Sequence, residues 1–173
     1  MKKIKQLDQI KKKSLEAWAI AMEALGFKTR LFQKTENLNE PLLQIILPQE
    51  GQNKRQELAV GFMPSEKGNE LHHLSLVQVF SAAPFILDEA SFGQLLPLLP
   101  AINNIQPLGH FSFGKDGQLF YRYNLATPLD PWDDSEALQQ MFLLIIGQLD
   151  HQYPLLEAFC KQTISKDEFF SLL

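Results

Sequence analysis

The chain has 173 residues and a formal net charge of −4, and its length is typical of one domain whose core needs no disulfide or metal. Hydrophobic residues make up 45% and charged residues 21%, a composition that excludes the class of disordered chains. The single cysteine, Cys160, excludes an internal disulfide and a cysteine-based zinc cluster. We therefore expect residues 1–173 to form one domain in a reducing, cytoplasmic environment.

The first predicted element is an amphipathic helix from Ile4 to Phe27, because apolar residues recur there at spacings of three, four and seven. Gly26 occupies the place of a glycine C-cap. Residues 1–13 contain six lysines and one aspartate, a local charge of +5. We interpret this basic end as a solvated helix terminus, with contact to an acidic partner or to an anionic membrane surface as alternatives. Because lysines and Glu16 interrupt the apolar positions, we expect no secretory leader.

Four short strands are predicted to follow and to form an antiparallel meander, since each apolar run is bounded by turn-forming residues. Their ranges are Thr29 to Gln33, Leu42 to Leu47, Leu58 to Met63 and Leu74 to Phe80. A second helix is expected to begin at Asp88, whose carboxylate can cap it. Pro97 and Pro100 each remove a backbone donor, so this helix should be kinked or broken into short turns.

A β-hairpin is predicted from Phe111 to Leu125, because two apolar and aromatic runs flank the turn from Gly114 to Gly117. In its second strand every other residue shares a face. The set that we assign to the core is Leu119, Tyr121, Tyr123 and Leu125. Phe120, Arg122 and Asn124 then lie on the opposite face.

The chain is predicted to end with a long helix that is capped by Asp133, with Glu136 at the capping-box spacing. Pro154 should bend this helix, and a short amphipathic tail follows from Lys166 to Leu173. Strands in succession, rather than alternating with helices, indicate an α+β fold. We expect a single antiparallel β-sheet, formed by the meander and the C-terminal hairpin, packed by an N-terminal helix, a middle helix and the long C-terminal helix.

No catalytic or cofactor-binding site is predicted. The turn from Gly114 to Gly117 joins two strands, whereas a phosphate-binding loop opens a helix and has a lysine and a hydroxyl residue at another spacing. Cys160 has Lys161 beside it, which would favour the thiolate, but no histidine base at a family spacing, so an inert, packed thiol is favoured. The G-x-S-x-G motif of serine hydrolases is absent from the sequence.

The histidines and clustered aspartates are interpreted as structural or surface residues, and no metal site is predicted. His72 and His73 are adjacent and would point in opposite directions on a strand, so they cannot hold one ion together. His110 and His151 have no third ligand at a recognised metal spacing. Three aspartates of one loop lack the alternation of oxygen ligands that calcium loops have. They are Asp130, Asp133 and Asp134.

The feature that points to function is the apolar character of both faces of two predicted strands, in Leu42 to Leu47 and Leu74 to Val79. A sheet covered by helices on one face needs only alternating apolar residues. A second covering layer would explain the surplus, either a protein client or a second copy of the chain in a homodimer. The candidate partner-binding residues are Leu42, Gln44, Ile46, Val77, Val79, Phe120 and Arg122. A nucleic-acid partner is not expected, since no second basic run or aromatic platform accompanies residues 1–13.

The hairpin and the final helix resemble a known family. The residues that carry the resemblance are Asp116-Gly117-Gln118-Leu119-Phe120-Tyr121-Arg122-Tyr123-Asn124-Leu125, Pro128-Leu129-Asp130 and Tyr153-Pro154-Leu155-Leu156. Over residues 107–160 the chain is similar to the YbjN-like proteins, which belong to the type III secretion chaperone-like fold. The resemblance implies an α+β sheet packed by helices, frequently dimeric, in proteins that bind other proteins or act as regulators rather than enzymes. It carries over no catalytic residue.

Our first hypothesis is therefore a non-enzymatic protein-binding module, chaperone-like or regulatory. One alternative is a small-ligand binder or enzyme with a pocket near the hairpin. The lining residues of that pocket would be His110, Tyr121, Arg122 and Tyr123. Another alternative is peripheral membrane association through the basic N-terminal helix. A transmembrane segment is not expected, because the longest apolar run, Met141 to Ile146, is far shorter than the about 20 residues that a spanning helix needs.

Overall fold

The computed structural model describes residues 2–36, 38–47, 56–64, 74–128 and 135–173. The helices in these ranges are α1 (Lys2–Ala24), α2 (Glu89–Leu95), α3 (Leu99–Asn104), α4 (Ser135–Cys160) and α5 (Lys166–Leu172), with a 3-10 turn at Leu96–Leu98. The strands are β1 (Lys28–Phe32), β2 (Leu42–Ile46), β3 (Glu57–Phe62), β4 (Leu74–Ala82), β5 (His110–Phe113) and β6 (Leu119–Pro128). The fold is α+β, as the order of the predicted elements indicated.

The six described strands form one antiparallel sheet in the order β1-β2-β3-β4-β6-β5. The predicted meander and hairpin are both confirmed, and the long second strand of the hairpin joins them. It pairs with the whole of β4, from Pro128 opposite Leu74 to Phe120 opposite Ala82. β1 and β5 are therefore the two edges of the sheet.

The core lies between one face of the sheet and the helices. Because side chains alternate along a strand, one set from each strand points toward α1, α4 and the α2–α3 segment. Trp18 of α1 shows how closely these layers pack, since its ring stacks on Phe62 of β3 at 5.7 Å and meets Phe142 of α4 edge-on at 6.2 Å, between ring centroids. The predicted core set of the hairpin strand is confirmed, with Leu119 and Tyr121 fully buried.

Local sequence signals define the helix ends. Gly26 has a φ of +89°, which glycine adopts without strain, and α1 ends with two hydrogen bonds. Phe27 N–H donates to Met22 C=O at 3.1 Å and Gly26 N–H donates to Glu23 C=O at 2.9 Å, the pattern of a Schellman cap. The predicted glycine C-cap is confirmed, and it directs the chain from α1 into β1.

The middle helix begins at the predicted cap and breaks at the predicted prolines. The Ser91 backbone N–H donates to Asp88 Oδ1 at 2.8 Å, and hydrogen bonding from Ser91 holds the pKa of Asp88 below its ordinary value. Pro97 lies in the 3-10 turn that follows α2, and Pro100 lies in the first turn of α3. Each proline thus occupies a position where no donor is required.

The β5 edge is closed by a side chain. Asn103, at the end of α3, donates from Nδ2 to Phe111 C=O at 2.9 Å and accepts from Phe111 N–H at Oδ1 over 2.7 Å. The amide therefore occupies the position of a neighbouring strand and satisfies backbone groups that an edge would leave unpaired. At Phe111, the backbone groups of this edge are therefore not available for pairing with another chain.

Some sequence predictions concern residues outside the described ranges. They are the cap at Asp133, the neighbouring aspartates Asp130 and Asp134, and the histidines His72 and His73. Pro154 lies inside α4, and the predicted amphipathic tail, Lys166 to Leu173, contains the helix α5.

Candidate functional site

The candidate site is the face of the sheet that points away from the helices, here called the outer face. It consists of every second residue of each strand, and strand pairing aligns these residues across the sheet. Its large apolar side chains are Phe32, Leu42, Ile46, Leu76, Phe80 and Phe120. Phe32 and Leu76 are each 43% exposed, and none of the helices that the structure describes packs on this face.

Five of the seven predicted partner-binding residues lie on the outer face. They are Leu42, Gln44, Ile46, Phe120 and Arg122. The prediction is wrong for Val77 and Val79, whose side chains are completely buried in the core. Their neighbours across β3 are the inward-pointing Phe62 and Val60, so register places both valines on the helix-covered face.

The outward residues of β4 that the sequence did not single out are Leu76 and Phe80. Both sets of alternate residues in this strand contain large apolar side chains. Hydrophobicity alone could therefore not give the phase of the strand, that is, which set points toward the helices. Gln78 lies between Leu76 and Phe80 on the outer face, where its Nε2 donates to Asn124 Oδ1 at 3.0 Å. This polar residue was the one signal that could have assigned the faces of β4 correctly.

One row of residues crosses the whole outer face, with one member from every strand; we call it the central row. Its members, in sheet order, are Arg30, Gln44, Ala59, Phe80, Arg122 and His110. Cationic side chains thus lie toward both edges of the sheet, and Gln44, Ala59 and Phe80 lie between Arg30 and Arg122.

An aromatic pair forms the most apolar part of the face. The rings of Phe80 and Phe120 lie 5.2 Å apart at an angle of 33°, and the Arg122 guanidinium lies 5.6 Å from the Phe120 ring centroid. A cation over an aromatic face is held in place electrostatically. Arg122 Nε is shielded from solvent and has no hydrogen-bond partner among the described residues.

Small residues on β3 and β4 create a hollow beside this pair. It has a volume of about 220 Å³. Its lining includes Leu42, Gln44, Ala59, Phe80 and Ala82. Gly61 continues the low floor, because a Cβ added there would lie 3.0 Å from Leu42 Cδ1. The hollow therefore depends on side chains that are absent or short on the central strands.

A second, more open hollow of about 630 Å³ lies at the β1 side of the sheet. Phe27 and Ile46 give it apolar walls, and its charged lining residues are the exposed Lys28, Arg30 and Glu23. The Glu23 carboxylate accepts a hydrogen bond from Thr29 Oγ1. Ile46 and Gln44 are alternate residues of β2, so the two hollows are neighbours on the same face.

The charges of the outer face are unequal. Lys28, Arg30 and Arg122 are cationic, whereas Glu57 is the acidic member among the described outer residues and is hydrogen-bonded to Gln44 Nε2. Partial burial, and secondarily the charge of Arg122, lower the pKa of His110 from its ordinary value, so this imidazole is neutral near pH 7. The face is therefore basic on a chain whose formal net charge is −4.

The predicted pocket near the hairpin cannot have the four lining residues that the sequence analysis gave it. Tyr121 and Tyr123 belong to the inward set, whereas Arg122 and His110 lie on the outer face, so the four side chains cannot surround one ligand. Tyr121 Oη donates to Leu108 C=O at 2.9 Å, and burial raises the pKa of this phenol above its ordinary range.

Tyr121 also explains the backbone beside it. Gly109 has a φ of +66°, and a Cβ at this position would clash with the Tyr121 ring. A glycine is thus required where the chain passes the phenol. The role of Tyr121 is to fix the connection from α3 to β5.

The remaining candidates for chemistry have structural roles. Burial, followed by the negative charges of Asp88 and Glu157, raises the pKa of Cys160 to about 11, so the thiol is protonated near neutral pH. The neighbouring lysine does not reverse this, since Lys161 Nζ pairs with Glu157 at 2.7 Å. In the parts of the chain that the structure describes, no three metal-ligating side chains come together.

The basic N-terminus contains a buried ion pair that the sequence did not reveal. Lys11 Nζ lies 3.0 Å from Glu40 Oε1, with the side chains only 5% and 17% exposed, and 5.7 Å from the Phe62 ring centroid. Lys12 and Glu16 form a longer, exposed pair at 3.6 Å. The interpretation of the whole run as solvated is therefore wrong for Lys11.

Comparison with known proteins adds no assignment: no family model, curated protein or solved structure matches the chain. The resemblance to YbjN-like proteins remains a prediction. A search of the described residues also finds no helix with the length and apolar character to cross a membrane.

Proposed function

We propose that this chain is a non-enzymatic protein-binding module, chaperone-like or regulatory, that binds a protein segment on the outer face. The observation that carries the proposal is the set of large apolar side chains from β1, β2, β4 and β6 that no described helix covers. Such a patch with a polar rim is typical of a protein interaction surface. The resemblance to YbjN-like proteins agrees with it.

The size of the apolar contribution suggests how binding works. Full burial of a Leu or Phe side chain contributes about 1.5–3 kcal/mol. Leu76 and Phe32 are each 43% exposed and the other outer apolar residues are less exposed, so each contributes at most roughly 1 kcal/mol when covered. Affinity then requires several anchors together with polar contacts.

Site-specific photo-cross-linking in native lysate tests the proposal. A photoreactive residue replaces Ala126, which is exposed on the outer face, and a matched control carries it at Lys115, which is exposed in the hairpin turn. We expect a discrete cross-linked protein from position 126 only. The yield should fall when Phe80→Ser and Phe120→Ser are combined, because these changes remove the apolar anchors.

Two outcomes of the cross-linking experiment would count against the proposal. Equal cross-linking from both positions, or none from position 126, contradicts the proposal. Circular dichroism of the double variant must show the unfolding temperature of the parent, so that lost cross-linking reports the surface and not the fold. Light scattering of the purified chain shows whether the cross-linked species is a second copy, which is the homodimer alternative.

A further inference from the structure

We propose that the segment bound on the outer face is acidic, with carboxylates flanking an apolar centre, and that Arg30 and Arg122 are the two residues that select it. This inference rests on the proposed function and specifies the chemistry of its partner. Both arginines belong to the central row, and their strands are separated by β2, β3 and β4.

Charge complementarity is the first argument. Lys28, Arg30 and Arg122 give the outer face three cations, and Glu57 is directed to Gln44. None of the described acidic residues forms an ion pair with Lys28, Arg30 or Arg122. Among the described residues, the buried lysine is thus paired with Glu40, whereas these three cations have no acidic partner. A partner with carboxylates is attracted by these positive charges, whereas a basic partner is repelled.

Geometry gives the length of the segment. Four inter-strand spacings separate β1 from β6, about 19 Å, and an extended chain covers this distance with about six residues. Between the two arginines lie Gln44, Ala59 and Phe80, and the last two are next to the hollow that Leu42 borders. The occupant therefore needs apolar side chains at its centre and carboxylates at its ends.

An unsatisfied donor supports the same assignment. Arg122 Nε is shielded and has no hydrogen-bond acceptor among the described residues, and its guanidinium is already oriented by Phe120. A carboxylate accepts hydrogen bonds from an arginine through two parallel donors, which a neutral acceptor does not match. A bound carboxylate would satisfy this donor once the Arg122 side chain turns outward, because Nε is shielded in the free chain.

A second copy of the chain fits less well. A two-fold dimer would place the outer face against itself, and each face contributes more cations than anions. Head-to-tail contact with an acidic surface of another copy would leave the association open rather than closed. Nucleic acid is also disfavoured, because the chain has an isoelectric point near 5.6 and Glu57 lies within the face.

The test uses a fluorescein-labelled peptide with alternating leucines and serines at its centre and two glutamates at each end. Its twin carries glutamines at the ends. Fluorescence anisotropy with the purified full chain should show that the glutamate peptide binds at least roughly ten-fold more tightly than its twin at low salt. Arg30→Glu with Arg122→Glu should abolish this preference, and Arg30→Lys with Arg122→Lys should retain only part of it, because lysine keeps the charge but loses the parallel donors.

Equal affinity for the two peptides, failure of both to bind, or a preference that survives the double charge reversal would overturn the inference. Sedimentation with anionic vesicles and nuclease treatment of the cross-linked species are also decisive. Binding to vesicles or to nucleic acid that the charge reversal abolishes would assign the arginines to another partner class and overturn it.

The cross-linking experiment distinguishes a failure of this inference from a failure of the proposed function. If position 126 still cross-links a protein in the charge-reversed chain at the parental yield, protein binding stands and the acidic character of the partner is wrong. If the parental chain gives no such cross-link, the proposed function itself fails. Matching unfolding temperatures for the parent, lysine and glutamate variants exclude misfolding as the cause of either result.

Discussion

The two faces of the sheet differ in what covers them. The inner face is covered by the chain's own helices, and adjacent residues of β2 show the contrast, since Ile45 is fully buried whereas Ile46 borders an open hollow. The outer face carries side chains of similar size without a described helix to cover them. The comparison teaches that apolar character in a strand predicts burial only after the phase of the strand is known.

The cationic side chains show the same contrast between the interior and the outer face. Lys11 is used inside the fold, where it pairs with Glu40 and lies over Phe62. Arg122 lies over Phe120 on the outer face without an anionic partner among the described residues. The first cation has its anionic partner within the fold, and we propose that the second is reserved for a binding partner.

The largest predicted effect separates the two faces directly. Ile45→Ala should reduce the free energy of unfolding by about 4 kcal/mol, because it removes buried methyl groups and leaves a cavity. Ile46→Ala, the same change one residue away, should cost less than about 1 kcal/mol, since its side chain is already partly in solvent. Chemical denaturation followed by circular dichroism measures both. Equal losses would show that the outer face is covered within the chain itself.

The next prediction concerns the buried ion pair. Lys11→Met should lower the free energy of unfolding by about 3 kcal/mol, because it leaves the Glu40 carboxylate mostly buried and unpaired. Adding Glu40→Gln should restore part of this loss by removing the buried charge. A double-mutant cycle gives the coupling between the two changes. Additive effects of the two single changes would indicate that the residues are not paired in solution.

The edge strands give a smaller contrast. Asn103→Ala should destabilise the protein by about 2 kcal/mol, because it leaves the N–H and C=O of Phe111 without their partner. Hydrogen exchange of the Phe111 amide should become faster in this variant. The matched change Asn124→Ala on the outer face should have little effect on stability. If Phe111 exchange is unchanged, the edge is protected by something other than Asn103.

The smallest predicted effect is a pH dependence at the outer face. The pKa of His110 is lowered in the folded chain by burial and by Arg122, so the unfolded chain binds more protons. The contribution of His110 to stability is present above its unfolded pKa of about 6.5 and is lost as the pH falls through that value toward the lower folded pKa. His110→Gln should make the free energy of unfolding less sensitive to acid. A steeper acid dependence in the variant would contradict the assigned direction.

Much of the fold followed from local sequence signals. Gly26, Asp88 and the two prolines of the middle helix act on their own neighbours, so their effects could be predicted without tertiary information. The hairpin strand was also assigned correctly, because polar Arg122 and Asn124 identify its outer side. These predictions depend on turn chemistry and on alternation within a single strand.

The features that the sequence did not reveal depend on contacts between distant residues. Val77 and Val79 were placed on the wrong face because large apolar residues occur on both sides of β4, and the register with β3 shows that they lie beside the inward-pointing Phe62 and Val60. Lys11 pairs with Glu40, which lies 29 positions away, and no periodicity connects them. The central row likewise exists only because six strands are aligned.

The central claim is that the outer face is open in the free chain and covered by a partner in the cell. Radical footprinting of Leu76 and Phe80 tests it, with Ile86, which is 91% exposed and lies outside the sheet, as the internal reference. We predict that both residues are labelled in dilute purified protein and are protected relative to Ile86 in concentrated native lysate. Equal relative labelling in the two samples, or protection already present in the dilute protein, would contradict the account.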